Sequence, residues 1–398
     1  MESLTTRQQV NENSLRISPL HPSMGRPPSF AVLSTYPPTQ CGLATFASAL
    51  TKGLRDVGVS RVGVVRVDDG VTPCAAPEVA ATVSNGDAQS RLEAARVINS
   101  FDVLLVQHEF GIFGGPCGSE ILELLEDVHV PVIVTMHTVP LEPSLMQRAV
   151  FEALIDRADV LVAMTEVAHD RCLVKFPVDP AKVFTVPHGA TVPRYVNMPP
   201  LYRTSLLTWG LLGPGKGIEW VIDALAMLPD LRDTVSYTVA GQTHPKVKAQ
   251  HGEEYRESLM RRVDALGLSS VVTFDDSYRS LDSLIDLVAQ STCVVLPYDS
   301  GDQITSGVLV DALSVGRPVI ATEFPHAREL LSDGAGIVVP HRDPVTLAQA
   351  IRRVATDRNL VDEMVGNTLP IAREHRWSSV AARYVDLGVQ VAANGRVW

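Results

Sequence analysis

Two successive sets of short runs rich in Val, Leu and Ile, each followed by a segment of helix length, constrain this chain more than any other feature. That alternation is the signature of parallel sheets covered by helices on both faces. The first set lies at 30–36, 62–67, 103–107, 132–136, 160–164 and 183–186, and the second at 205–212, 236–240, 271–274, 293–297, 318–321 and 336–339. Between them, at 190–202, prolines cluster and the periodicity lapses, as expected of a linker. The expected fold class is therefore α/β, with two Rossmann-like domains. The expected boundaries are 30–190 for the first domain, 191–204 for the linker and 205–376 for the second. A length of 398 residues accommodates two domains of ordinary size.

The ends read differently. Residues 1–29 are polar, contain Pro22, Pro27 and Pro28, and lack the apolar core of a signal peptide, so a disordered tail is expected there. The segment 377–398 carries Trp377, Val380, Ala381, Tyr384, Leu387 and Val391 at three- and four-residue spacing, with Ser378 or Ser379 as a cap. This is an amphipathic helix in need of a surface to cover. No run of about twenty apolar residues is long enough to span a membrane. With 34 Lys and Arg against 45 Asp and Glu, the net charge of −11 opposes nonspecific attraction to nucleic acid or anionic lipid. The five cysteines are scattered without a Cys-x-x-Cys pair, which favours a reducing compartment over a disulfide framework or a zinc knuckle.

Ligands of doubly wound sheets bind beyond the carboxyl ends of the strands, so the residues there carry the functional argument. Three histidines follow apolar runs directly: His108 in VLLVQHEFG, His137 in VIVTMHTV and His188 in VFTVPHG. Each alone also reads as a hydrogen-bonded structural histidine. Three at one edge could orient sugar hydroxyls or stabilise developing charge. They come from separate strands without the tight spacing of a zinc signature, so no metal site is expected. After the first run, Gly42 precedes a helix start where free N–H groups could meet an anion, although an ordinary tight turn would look the same.

In the second set, GLLGPGKG joins a strand to a helix with Gly210, Gly215 and Lys216 placed almost as in a nucleotide P-loop. Gly217 stands where the magnesium-binding Ser or Thr of that motif belongs, so nucleotide hydrolysis is not implied. A lysine beside a glycine-rich helix start still suits a diphosphate. The segment from Pro297 to Pro318 holds Asp302, Gln303, Ser306, Gly307 and Asp311 around a further helix start, a second candidate anion cradle. Ser306 as a simple cap and Asp311 on a solvated helix face are the plainer alternatives.

The segments STYPPTQCGLATF, QHEFGIFGG, TMHTVPLEPS, VPHG, GLLGPGKGIEWVIDAL, GQTHP, DQITSGVLVDALSVGRPVIAT and FPHARELL occur in the order found in GT-B glycosyltransferases of the large retaining family that includes many bacterial mannosyl- and glucosyltransferases. The chain resembles that family from about Phe30 to Tyr384. The resemblance implies two facing Rossmann-like domains with a cleft between them and a terminal helix crossing back to the first. It implies hexosyl transfer from a nucleoside diphosphate sugar, of GDP-mannose or UDP-glucose type, to a glycan, lipid-linked or small-molecule acceptor, with retention at the anomeric carbon and no other cofactor.

By resemblance, His108, Lys216 and Asp302 are catalytic, and His137 and His188 lie on the acceptor side. Gly42, Gly215, Lys216, Tyr278, Gln303, Ser306, Gly307, Val308, Leu309 and Asp311 would bind the donor. A cytoplasmic enzyme is implied, peripheral at most to the inner membrane face. Two departures stand out: Leu211 replaces the arginine usual after the glycine matching Gly210, and the usual pair of glutamates becomes Gln303 and Asp311, with Asp302 the nearest acid to the first. These departures motivate an alternative, a GT-B protein that binds nucleotide sugar or glycan without turnover. An epimerase or phosphorylase on the same architecture is a third reading.

Overall fold

The computed structural model describes residues 26–70, 74–191, 203–277 and 279–394. Its strands form two wholly parallel sheets. The first contains β1 (Phe30–Ser34), β2 (Val62–Val67), β3 (Val79–Val83), β4 (Val103–His108), β5 (Val132–Met136), β6 (Val160–Ala163) and β7 (Val183–Thr185), in the order β3-β2-β1-β4-β5-β6-β7. The second contains β8 (Thr204–Trp209), β9 (Val235–Ala240), β10 (Val272–Asp275), β11 (Cys293–Leu296), β12 (Val319–Thr322) and β13 (Gly336–Val339), in the order β10-β9-β8-β11-β12-β13. Both sheets wind outward over their first three strands and then return to pair the fourth with the first. The order reverses between β1 and β4 and again between β8 and β11, where loops diverge and leave a crevice for ligand.

The apolar runs have no polar alternation because both sheet faces are covered. Within β1, Ala31 and Leu33 pack with Ala94, Ile98, Phe151 and Leu154 on one side. Phe30 and Val32 pack on the other with Ala47, Leu50, Leu54 and Tyr384. Strand β3 is the exception. It lies at the sheet edge with alternate residues exposed, and its short Val-Ala-Ala-Thr-Val run stands outside the expected set for that reason.

The terminal helix Trp377–Asn394 lies on the first domain, against the helix Gly42–Asp56, and not on the second. It begins at Trp377, so Ser378 and Ser379 fall inside its first turn instead of capping it, and Ser379 Oγ donates back to the Arg373 carbonyl. Close approach depends on glycine: a Cβ on Gly53 would stand 3.1 Å from the Trp377 carbonyl, and one on Gly388 would stand 2.4 Å from the Phe30 ring. The Tyr384 hydroxyl bonds the Thr135 hydroxyl at 2.8 Å in the core. Tyr384→Phe is expected to cost about 1–2 kcal/mol, since it strips a buried hydroxyl of its partner. Urea unfolding measures this, and an unchanged midpoint would show that the bond adds nothing.

Where the chain leaves the first domain and where it returns, the two segments touch. Ala190 bridges Arg376 in parallel, Ala190 N donates to the His375 carbonyl at 2.7 Å, and His375 Nδ1 donates to the His188 carbonyl at 2.8 Å. No helix among the described residues is long and apolar enough to cross a membrane.

Candidate active site

Successive residues of a strand point to opposite faces, and this decides which histidine reaches the cleft. His108 ends β4 and turns into the first core, against Phe110, Phe113 and Phe151 at ring-centre distances of 4.9, 6.3 and 5.7 Å. It is fully buried, burial pushes its pKa down to about 4, and neither ring nitrogen has a partner among the described residues. Gln107 points the other way, and its Oε1 accepts from His137 Nε2 at 2.9 Å. The imidazole expected from the resemblance at the transferring sugar is therefore misplaced at His108, which the pleat directs among phenylalanines.

His137, one residue beyond β5, is edge-on to Phe46 at 4.9 Å, and His188 is edge-on to the same ring at 5.0 Å. Burial holds His137 down to about 3, aided by repulsion from His188, and burial holds His188 down to about 4. Both are neutral at pH 7. His188 Nδ1 donates to the Gly189 carbonyl at 2.8 Å. Its ring lies 3.1 Å from where a Cβ on Gly307 would stand, so the first domain touches the second at a residue without a side chain.

Beside these histidines begins the helix Gly42–Asp56, capped by Cys41, whose Sγ accepts from Ala44 N at 3.4 Å. A Cβ on Gly42 would meet nothing within 4 Å, so packing within the protein does not demand glycine there. Asp68 and Asp69 are bound by the buried Arg66 at 2.9 and 3.2 Å, and Arg66 also donates to Thr39. The acidic pair thus braces the loop that precedes Gly42.

Across the cleft, Gly210, Gly215 and Gly217 all have left-handed backbone, with φ of 124°, 87° and 67°. A Cβ on Gly217 would lie 1.7 Å from the Pro297 carbonyl oxygen, so the loop can fold against β11 only with glycine there. Lys216 Nζ sits 4.7 Å from the centre of the Tyr298 ring. Its ammonium is half-buried, its pKa lowered by that burial, and no carboxylate pairs with it among the described residues. Tyr298 also bonds Ser306, so this ring joins the lysine loop to the start of the helix Gly307–Ser314.

At that helix start Ser306 is a true cap. Its Oγ accepts from Leu309 N at 3.3 Å, and its own N–H donates to His326 Nδ1 at 2.8 Å. The amides of Ser306 and Leu309, both expected to meet donor, are thus consumed internally. Those of Gly307 and Val308 have no acceptor among the described residues. An unpaired ammonium and two open amides at a helix start, joined through Tyr298, have the chemistry of an anion cradle. Asp311 follows one turn on, half-buried, with burial pushing its carboxyl up to about 7.

The loop before the helix departs from expectation. Asp302 does not face the cradle with its carboxylate free: it meets Arg171 of the first domain at 2.6 Å. Gln303 turns its amide onto the Thr305 carbonyl. Tyr278 lies outside the described residues. Gln107, Arg171, His326 and Glu329 form site contacts that the sequence reading did not assign. Of these, Gln107 opens QHEFGIFGG and His326 and Glu329 both lie in FPHARELL, whereas Arg171 lies in none of the segments that carry the resemblance.

Residues 203–357 match the family described as Glycosyl transferases group 1. A D-inositol 3-phosphate glycosyltransferase of Streptomyces bingchenggensis is 26% identical over 59% of this chain and 54% of its own length. A phosphatidyl-myo-inositol mannosyltransferase of Mycobacterium leprae is 26% identical over 53% of this chain and 54% of its own. The chain thus spans about half the length of these two relatives. Among solved structures, Anabaena HepE in complex with UDP superposes with a TM-score of 0.71 at 17% identity, covering 90% of this chain and 99% of that one. Sucrose-phosphate synthase from Thermosynechococcus elongatus gives 0.71 at 16% identity, covering 92% and 100%.

Proposed function

From the GT-B fold that these likenesses show, and from the group 1 match of the second domain, we infer that this chain is a glycosyltransferase using a nucleoside diphosphate sugar. The observation that carries the reading is the cradle of Lys216 and the Gly307 and Val308 amides, set at the strand-order reversal of the second sheet and opposite His137 and His188.

Lys216 and the helix start hold the diphosphate and stabilise the charge it gains as the glycosidic oxygen departs. Asp311 is placed one turn into the same helix for the ribose. On the first domain, His137 donates through Nε2 to Gln107, which leaves Nδ1 as an acceptor for a sugar hydroxyl. The bond from anomeric carbon to phosphate oxygen breaks while the acceptor oxygen bonds the same face. The acceptor proton passes to the departing phosphate, so the configuration is retained without a protein base, metal or other cofactor. UDP-glucose and GDP-mannose types are the donors we propose, the first favoured by the UDP bound to HepE. Inositol phosphates and phosphoinositides, named for the relatives, are the first acceptors to try.

Incubation with UDP- and GDP-sugars, followed for sugar-dependent nucleotide release, tests this. Lys216→Ala should weaken binding of the nucleoside diphosphate about 30-fold, roughly 2 kcal/mol for one charge-assisted contact. Unchanged affinity by calorimetry would remove Lys216 from the site. Leu211 and the Gln303 and Asp311 pair favour the second reading, a nucleotide-sugar-binding protein without turnover. Tight nucleotide binding with no release from any sugar would select it.

A further inference from the structure

The loop 299–306, which leads into the open amides of the cradle, is held from outside by the first domain. The contacts come from one helix, Glu166–Lys175. Its cap, Thr165, accepts from Ala168 N at 3.0 Å and donates its hydroxyl to the Ile304 carbonyl at 3.1 Å. The next two amides, of Glu166 and Val167, donate to the two carboxylate oxygens of Glu329, at 3.0 and 3.2 Å, on the second-domain helix Pro325–Leu330, whose His326 bonds Gln303 and Ser306 of the loop. Ile304 itself is buried in the core of the first domain. Further along, Arg171 Nη1 meets Asp302 Oδ1 at 2.6 Å and the Val139 carbonyl at 3.0 Å.

These contacts differ from an ordinary surface patch. The Arg171 side chain is only 9% exposed, so loss of Asp302 would leave its charge poorly solvated. Glu329 satisfies two donors that a helix start otherwise leaves to water, and its charge complements that end of the helix dipole. Arg171 also joins two parts of the cleft: Val139 is two residues past His137, and Asp302 is five before Gly307.

We propose that Arg171 and Glu329 are positioning residues, through which the first domain fixes loop 299–306 and sets the Gly307 and Val308 amides against His137 and His188. The proposal rests on the donor reading above. Neither side chain needs to touch the donor, yet both control how well the cradle fits it. Assembly of the donor site is thereby tied to the approach of the two domains.

The test uses the full chain in two measurements: small-angle X-ray scattering without ligand, and calorimetric titration with UDP and with GDP. Arg171→Ala and Glu329→Ala should each increase the radius of gyration and weaken whichever diphosphate binds the wild type about tenfold. The charge exchange Arg171→Asp with Asp302→Arg should recover most of both losses, which a residue acting only through packing would not allow. Wild-type scattering and affinity in Arg171→Ala, or no recovery in the exchange, overturns the proposal. If Arg171→Ala does not melt cooperatively, Asp302→Asn, exposed and nearly isosteric, takes its place with the same expectation. If the wild type binds neither UDP nor GDP, the donor reading fails. Scattering then decides alone: expansion of the variants supports the positioning role, and unchanged curves refute it.

Discussion

Taking the protein from pH 7 to pH 5 is expected to remove about 5 kcal/mol of its stability. The cause is four histidines held neutral by burial: His108 and His188 with pKa lowered to about 4, His137 and His326 to about 3. Unfolding returns each to about 6.5. Below that value the unfolded chain binds protons that the folded chain refuses, so stability falls with pH until the folded values are reached. Together the four contribute about 7 kcal/mol of loss by pH 5. Asp311 works against them. Its folded pKa of about 7 lies above the unfolded one, so it takes a proton on the acid side in the folded state and offsets about 2 kcal/mol. Denaturant midpoints at pH 7, 6 and 5 measure the balance, and a flat profile would mean that the histidines are not buried as described.

The second large effect concerns catalysis. His137→Ala is expected to lower kcat by about two to three orders of magnitude, the range for loss of a group that positions the reacting sugar in a water-excluded site. On the proposed function, affinity for the nucleoside diphosphate should change by less than about threefold, because Lys216 and the two open amides assigned to that ligand lie across the cleft from His137. The split between the two numbers is what identifies the role. Equal losses in both would mean that His137 supports the site as a whole, and unchanged turnover would return it to the ring cluster around Phe46 as a packing residue.

Much of this was legible in the sequence, and the physical reasons are particular. Buried parallel strands announce themselves as unbroken apolar runs, so both sheets could be placed from the chain alone. Strand β3 could not, because an edge strand that shows one face to water needs no such run. Gly210, Gly215 and Gly217 stood out since left-handed backbone requires them. The histidine was misassigned for a different reason. Gln107 and His108 are adjacent, both faces of the sheet are covered, and nothing in the run says which parity meets the cleft. The cradle was readable as a helix start, but not which of its amides the protein itself consumes, since His326 comes from another element, 20 residues on. Arg171 and Asp302 are 131 residues apart and sit on different domains, so no local pattern could pair them.

The crossing at Ala190 and Arg376 has a wider implication. Since the terminal helix belongs to the first domain, the second is an insertion within it, entered and left at neighbouring points. Such an insert is joined to the first domain by two connections, where a domain on a single tether has one. It also forms a natural cassette: exchange of the segment between these two points for that of a related protein would replace the second sheet and its edge of the cleft while the first domain stayed as it is.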